Sequence, residues 1–282
     1  MIEHSFNNIA IGIAFSPKLQ ANLYEAARLA QSFNATLSMI HVGEESVEKR
    51  EKITNYLAEF SKKNLKYSIV FKTGNLVEVM MQYLKTYQID LLVLGALQKE
   101  HFFNYSLGSI SRKIARLAPC SVLLLIKPSV ERVVCQHIVV NGLKSENTPM
   151  TILYAFYMAN KLNSKRITIV EEINKSTLSI KVKDDATLRK ANLQREKLRR
   201  KENARVDKIL EEIPEDYKSK VKVDKQPIFG KRGYSIGHYA QISRADLLVM
   251  NAPEKTNFWN RLFPNDIEYI LKELPTDVLI IK

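Results

Sequence analysis

Short apolar runs alternate with longer segments of helical periodicity along the whole chain. In the first half the predicted strands are NIAIGIA, TLSMIHV, YSIVFK, DLLVLG and SVLLLI. Between them lie amphipathic segments such as LYEAARLAQSF, whose apolar residues recur at helical spacing. Near-continuous apolar strands separated by helices are typical of a parallel sheet that helices cover on both faces. The pattern therefore predicts an α/β fold.

The second half repeats this order of elements, with predicted strands HIVVNGL, RITIVEEI, KVKVDKQPIF, DLLVMN and DVLIIK. At a shift of 156 positions Gly74 aligns with Gly230, Asp90 with Asp246, and DLLVLG with DLLVMN. The repeat predicts two superposable units, residues 1–128 and 135–282, each with a five-stranded parallel sheet. The spacer Lys127–Val134 is the predicted boundary.

The last predicted strand of each unit is apolar and would leave an exposed sheet edge. These strands are SVLLLI and DVLIIK. Because unpaired apolar edges promote aggregation, we expect the two strands to be paired. Such pairing would make the chain a pseudo-dimer, the intrachain counterpart of a two-fold homodimer.

Composition narrows the class of protein. The chain has 282 residues, and no apolar run approaches the roughly 18 residues that a membrane-spanning helix needs. Its two cysteines, Cys120 and Cys135, provide neither a disulfide framework nor the spacing of a metal site, which indicates a cytoplasmic protein without a bound metal. We therefore expect no membrane partner.

The net charge of +13 includes one dense basic stretch, Arg189–Lys201, with seven basic residues and one acidic residue. Its helix-favouring composition predicts a solvated helix face. A docking surface for nucleic acid or anionic lipid is the alternative. This alternative is less expected than a solvated face, because no aromatic or glycine-rich interleaving supports base stacking, and nucleic acid is an unlikely partner.

The loop LGALQKEHFFNYSLGSIS, Leu94–Ser111, follows the fourth predicted strand and precedes a helix. Ligands of open parallel α/β sheets bind beyond the carboxyl ends of the strands, and helix N-termini suit phosphates. Gly108 would allow close backbone approach to an anion, Ser109 and Ser111 would donate hydroxyls, and Gly95 would leave room for adenine or ribose. On these residues alone a second interpretation is equally open: Gly95 makes a turn and Ser109 caps the helix.

The spacing Gly95-x2-Gln98-x9-Gly108-Ser109 resembles the Gly-x2-Gly-x9-Gly-(Ser/Thr) signature of the universal stress protein family. The resemblance covers residues 7–126 well and residues 135–282 more weakly, through the repeat, as in tandem members of the family. It implies five-stranded parallel sheets paired through their last strands. It also implies ATP as the ligand, contacted by Gly95, Gly108, Ser109 and Ser111, with Val42 on the adenine side.

Two departures from the family pattern weaken the expected affinity for ATP. Ala14 stands where nucleotide-binding members have an acidic residue, and Gln98 replaces the second glycine. ATP is therefore expected to bind weakly or not at all. In the second half the four signature positions carry other residues, so no nucleotide site is expected there; they are Asn251, Glu254, Pro264 and Asn265.

The leading hypothesis is a cytoplasmic stress-response protein that acts as a binding or regulatory module with one nucleotide site in its first half. No catalytic residues are assigned, because no Ser/His/Asp set or paired carboxylates accompany the loop, and we do not expect an enzyme. Nucleotide is the expected small-molecule partner, self-association is compatible with the strand edges, and no protein partner is identified. The alternatives are a ligand-free interaction scaffold and nucleic-acid association through the basic helix.

Overall fold

Strands and helices alternate as the apolar pattern predicts. The computed structural model describes residues 5–98, 105–106, 108–178, 180–252 and 266–282. In chain order the elements are β1 (Asn8–Gly12), α1 (Leu19–Phe33), β2 (Thr36–Val42), α2 (Val47–Ser61), β3 (Tyr67–Lys72), α3 (Leu76–Thr86), β4 (Leu91–Gly95), β5 (Leu97–Gln98), β6 (Tyr105–Ser106), α4 (Ser109–Leu117), β7 (Ser121–Leu125), β8 (His137–Asn141), α5 (Thr148–Leu162), β9 (Arg166–Asn174), α6 (Asp185–Glu211), α7 (Glu215–Lys218), β10 (Lys222–Gly230), α8 (Tyr234–Ile242), β11 (Leu247–Asn251), α9 (Asp266–Lys272) and β12 (Asp277–Ile281).

The chain divides into two units. Unit 1 consists of Met1–Val134 together with Leu271–Lys282, and its strand order is β12-β7-β4-β1-β2-β3. Every pair in this order is parallel except β12 with β7. The order reverses between β1 and β4, since chain connections leave these two neighbours in opposite directions. Ligands of open parallel α/β sheets bind beyond the carboxyl ends of the strands at such a point.

Unit 2, Cys135–Ile270, has the parallel order β10-β9-β8-β11. Its helix α6 has 27 residues, whereas α2, the helix at the same place in unit 1, has 15. No helix within the described ranges is both long and apolar enough to cross a membrane.

The helices bury the faces that their apolar periodicity predicts. In α1 the side chains of Leu23, Ala26 and Ala30 are fully buried. Both α1 and its counterpart α5 end at an asparagine in the left-handed conformation, Asn34 with φ 56° and Asn163 with φ 58°. Asparagine tolerates this conformation better than most residues, so the same helix stop is present in both units.

Each repeat contributes five strands to the main sheet pattern, as the sequence predicts: β1–β4 and β7 from the first repeat, and β8–β12 from the second. The last strand, β12, lies in unit 1, where Val278, Leu279 and Ile280 pair antiparallel with the edge strand β7. The final strands of the two repeats thus pair with each other, as the edge argument predicted. Unit 1 consequently has six strands in its main sheet and unit 2 has four. Unit 2 begins at Cys135, at the end of the predicted spacer Lys127–Val134, and Leu271–Lys282 are grouped with unit 1.

Two aspartates at matching positions of the repeat support the first strand of each unit. Asp90 Oδ2 accepts hydrogen bonds from the backbone N–H groups of Asn7 (2.9 Å) and Asn8 (2.8 Å). Asp246 Oδ2 accepts the equivalent bonds from Gln136 (2.7 Å) and His137 (2.9 Å). The 156-residue alignment of these aspartates therefore reflects a shared structural role rather than chemistry at a ligand site.

Replacing either aspartate by alanine is expected to destabilise its own unit by about 2 kcal/mol, because two backbone donors lose a charged acceptor. Urea denaturation of Asp90→Ala and Asp246→Ala measures the loss, and the exposed Asp216→Ala on α7 serves as the control. Losses within about 0.5 kcal/mol of that control would show that these bonds do not hold the strands.

Candidate functional site

The register of unit 1 brings the predicted site residues to one edge of its sheet. Ile11 pairs with Val93 and Gly12 pairs with Ile40. Because the strands are parallel, Gly95 at the end of β4 and Val42 at the end of β2 lie at the same edge as the end of β1. This edge includes the point where the strand order reverses, which is where open α/β sheets usually bind their ligands.

Helix α4 begins at this edge with an N-terminus that carries no cap of its own. Gly108 occupies the N-cap position with φ −58° and ψ 156°, no side chain caps the helix, and the first turn has no acidic residue. Ser109 is the first helical residue and is exposed, while Ser111 is half-buried. The interpretation of Ser109 as the cap is therefore wrong. Within the described residues no side chain accepts from the first N–H groups, and these donors together with the helix dipole suit an anion.

The opposite end of α4 is anchored from β12. The Lys282 ammonium donates to the carbonyl oxygens of Arg116 (3.0 Å) and Ala118. A cation at a helix C-terminus complements the dipole and satisfies carbonyl groups that lack helical partners. The last strand of the chain thus helps to position the helix whose N-terminus faces the candidate site. Burial lowers the pKa of Lys282 from its usual value.

The space over Gly95 is occupied by a side chain of unit 1. A β-carbon at Gly95 would lie 2.9 Å from Asn22 Oδ1 and 3.0 Å from Asn22 Nδ2. Gly95 therefore makes room for Asn22 of α1, which corrects the expectation that this space is open to adenine or ribose. Asn22 Oδ1 is buried and has no hydrogen-bond partner among the described residues. In the sequence Asn22 is distinguished only as a polar residue that directly precedes Leu23 of the buried apolar stripe of α1.

Val42 ends β2 and is half-buried beside an aromatic cluster that the sequence analysis missed. The His41 ring lies 4.9 Å from the Phe15 ring and 5.6 Å from the Phe71 ring, and His41 Nδ1 is 3.1 Å from the Ile13 carbonyl oxygen. These contacts hold the imidazole in a packed position near the carboxyl ends of β1, β2 and β3. Ala14, one residue beyond Ile13, is exposed, and its methyl group cannot accept a ribose hydroxyl.

Two cations of α2 lie over the aromatic cluster. Lys49 Nζ is 5.7 Å from the centre of the Phe15 ring, and the Arg50 guanidinium is 5.5 Å from that of Phe71. Arg50 is also paired with Glu45. Lys49 Nζ also donates to the Glu44 carbonyl oxygen at 2.6 Å. Exposed glutamates surround these cations: Glu44, Glu45, Glu48 and Glu51. The α4 N-terminus is therefore the feature of this edge that favours an anion.

The rest of the predicted phosphate loop lies outside the described residues. This applies to residues 99–104 and 107, and to the side chain of Gln98, whose backbone pairs with Tyr105. Whether Gln98 donates its amide or fills the position of the missing glycine remains a prediction. In unit 2, Glu254, Pro264 and Asn265 also lie outside the described residues.

In unit 2 the equivalent positions carry polar side chains that bond to the unit itself. The registers Asn8↔Thr36 and His137↔Arg166 align Val42 with Glu172. The buried Glu172 carboxylate accepts from the backbone N–H groups of Gly233 (2.9 Å) and Ile236 (2.8 Å), and so caps α8.

Asn251, at the position of Gly95, directs Nδ2 toward Thr148 Oγ1 at 3.3 Å. Asn141, expected near the acidic position of the first strand, is buried and accepts from the Leu143 N–H at 2.9 Å. It therefore serves a local turn and is not an available ligand-binding side chain.

The long helix α6 adds an arginine to the same edge of unit 2. Arg205 donates to the Gly142 carbonyl oxygen, just beyond β8, and pairs with Glu202 at 2.8 Å. Beneath it Glu171 is 2% exposed, and neither carboxylate oxygen has a hydrogen-bond partner among the described residues. Burial raises the pKa of Glu171 to about 7, although the positive charge of Arg205 opposes the shift. A buried carboxyl group here is unfavourable for a phosphate.

The described residues also bear on metal binding and thiol chemistry. Within the described ranges, no group of three or more His, Cys, Asp or Glu side chains is arranged to hold a metal ion. Cys120 is buried and free, and burial raises the pKa of its thiol to about 11. A thiol with this pKa is a poor nucleophile near neutral pH.

Known proteins are similar in sequence to the first part of the chain. Residues 5–125 match the model of the Universal stress protein family. The Universal stress protein YxiE of Bacillus subtilis (strain 168) is 23% identical over 146 residues, which cover 43% of this chain and 99% of that protein.

Two solved structures are similar over nearly the whole chain. A functionally unknown protein of Pseudomonas aeruginosa PAO1 has a TM-score of 0.68 at 14% identity, covering 98% of this chain and 92% of that one. A universal stress protein of Archaeoglobus fulgidus DSM 4304 has a TM-score of 0.61 at 14% identity, covering 99% and 97%. At this identity the similarity establishes the fold. Residues 5–125 are thus similar to the universal stress protein family, and the fold of the chain is that of solved structures that include a universal stress protein.

Proposed function

We propose that this protein is a cytosolic nucleotide-binding module with one ATP or ADP site, located in unit 1. The observation that carries the proposal is the N-terminus of α4, which lies at the sheet edge where the strand order of unit 1 reverses. In unit 1 the α4 N-terminus has no side-chain cap and no acidic residue in its first turn. In unit 2 Glu172 occupies the Val42 position and binds backbone N–H groups of its own unit.

Each part of a nucleotide has a complementary group in unit 1. The N–H groups at Gly108, Ser109 and Ser111 suit the phosphates, because the helix dipole and unpaired donors favour negative charge. Val42, half-buried at the end of β2, offers apolar surface for a base. Ala14 offers no acceptor to the ribose, so the affinity is expected to be weak.

We propose binding and regulation rather than catalysis. Among the described residues at this sheet edge, the His41 imidazole is held between Phe15 and Phe71 with Nδ1 at the Ile13 carbonyl oxygen. A general base needs a ring nitrogen directed at the substrate, and these packed contacts support a structural role for the ring.

One observation favours a second function, the ligand-free interaction scaffold. Asn22 fills the space over Gly95, and a nucleotide that lies against Gly95 has to displace it. Asn22 Oδ1 accepts no hydrogen bond from the described residues. A rotation of the Asn22 side chain away from Gly95 therefore breaks no hydrogen bond to this oxygen. The position of Asn22 therefore favours the scaffold, whereas the missing partner of its oxygen lowers the free-energy cost of displacing it and is compatible with weak nucleotide binding.

Restoring the two missing residues of the family pattern tests the proposal. We expect the Ala14→Asp/Gln98→Gly variant to bind ATP at least tenfold more tightly than wild type, about 1.4 kcal/mol, because a ribose acceptor is added and the phosphate path is opened. Calorimetric titration measures the affinity, and Ala204→Asp on the exposed face of α6 controls for the added charge. If neither wild type nor the restored variant binds ATP, the scaffold function is correct.

A further inference from the structure

Helix α6 is an addition to unit 2 that presents a basic surface to solvent. At 27 residues it is about 40 Å long. Its N-terminus is fixed by a capping box between Asp184 and Thr187. The inner face is packed through Ala191 and Val206, and Arg205 holds it to the Gly142 carbonyl oxygen. The helix is therefore firmly placed, and its outer face is a defined surface.

The exposed charged side chains in the middle of α6 are nearly all positive. All seven basic residues of Arg189–Lys201 are exposed, and Glu196 is the one acidic residue of that stretch. Glu196 pairs with Arg200, whose side chain is still 79% exposed. The guanidinium of Arg199 lies 5.7 Å from the Phe229 ring centre. Within the described residues no hydrogen bond or ion pair holds the other five, which are Arg189, Lys190, Arg195, Lys197 and Lys201.

This arrangement works against the helix in isolation. Arg195 with Arg199, and Lys197 with Lys201, are like charges four residues apart, a spacing at which repulsion destabilises a helix. Surfaces that serve solubility alone usually mix both signs. A concentrated positive face is favourable when it meets an anionic surface, which removes the repulsion.

An exposed leucine discriminates between anionic partners. Leu193 is 70% exposed, and Arg189 and Lys197 lie four residues to either side of it on the same face. Against a phosphate backbone this side chain would gain little, and Arg189–Lys201 has no aromatic residue to stack on bases. In a bilayer interface leucine enters the headgroup boundary while the flanking cations contact lipid phosphates.

We propose that the outer face of α6, centred on Arg189, Leu193, Lys197 and Arg200, docks unit 2 on a bilayer that contains anionic phospholipid. This is peripheral association, and it replaces the sequence-based expectation of no membrane partner. The docking proposal does not depend on the nucleotide site in unit 1, so an experiment can contradict one proposal and leave the other unaffected.

Sedimentation with vesicles of 30% phosphatidylglycerol in phosphatidylcholine tests the proposal on the full chain. Arg189→Gln/Lys197→Gln/Arg200→Gln is expected to lower the partition coefficient about a hundredfold, since three contacts with an anionic surface are lost. The matched control is Lys52→Gln/Lys66→Gln/Lys85→Gln, which removes the same charge from exposed positions of unit 1. We expect this control to change binding less than about fivefold.

Leu193→Ser, which leaves the charge unchanged, is expected to weaken vesicle binding about fivefold and leave binding to a DNA duplex unchanged. Absence of wild-type binding to these vesicles at low salt would overturn the proposal. So would equal losses in the two triple variants, or a duplex affinity that exceeds vesicle affinity and is lost with the α6 charges.

Discussion

Gly108→Pro is expected to weaken ATP binding to unit 1 at least tenfold. Gly108 has φ −58°, which proline adopts without strain, so the start of α4 should be preserved. The substitution removes one backbone N–H and places a ring where a phosphate would approach. The loss of one hydrogen bond to a charged group accounts for about 2 kcal/mol. Calorimetric titration with ATP measures the change.

Ser109→Ala is the comparison variant, because it removes a hydroxyl and keeps every backbone N–H. We expect it to weaken ATP binding by less than Gly108→Pro. Unchanged affinity in Gly108→Pro would show that the α4 N-terminus does not hold the phosphates. Circular dichroism of both variants establishes that helix content is retained.

Glu171→Gln is expected to stabilise unit 2 above neutral pH. The pKa of Glu171 is raised to about 7 in the folded protein from a usual value of 4.5, so folding favours its protonated form. Its stabilising contribution is fully present below about pH 4.5 and is lost as pH rises through about 7. Wild type should therefore lose about 2 kcal/mol relative to Glu171→Gln between pH 5 and pH 8.

The charged groups around Glu171 act in opposite directions. Arg205 and Lys225 favour its ionised form, while Glu202 and Asp207 disfavour it. Urea denaturation at several pH values measures the difference, with the exposed Glu211→Gln at the end of α6 as control. Parallel pH profiles for wild type and Glu171→Gln would show that the buried carboxyl group does not titrate in this range.

The local pattern of the sequence predicts much of the fold. Apolar runs such as LLVLG and SVLLL are strands, and the stripe through Leu23 and Ala26 is the buried face of α1. The match of Asp90 with Asp246 is also structural, since both bind the backbone at the start of their unit. These features depend on periodicity and on short-range chemistry, which a single sequence displays.

Features that depend on distant parts of the chain could not be predicted in the same way. Periodicity identifies β12 as a strand but does not assign it to unit 1. The spacing around Gly95 gives no sign of Asn22, which approaches from α1, more than 70 positions away. Likewise the basic run of α6 gives no indication that Arg205 reaches the Gly142 carbonyl oxygen. Such contacts follow from packing that no local motif encodes.

Nucleotide is expected to bind to unit 1 and not to unit 2. Its most direct test is a titration of isotope-labelled protein with ATP, followed through the NMR signals of backbone amides. The account predicts shifts concentrated at Val42, Gly108, Ser109 and Ser111, with the amides of Gly233 and Ile236 unchanged because Glu172 already binds them. Shifts concentrated at the α8 N-terminus, or confined to Arg189–Lys201, would contradict it.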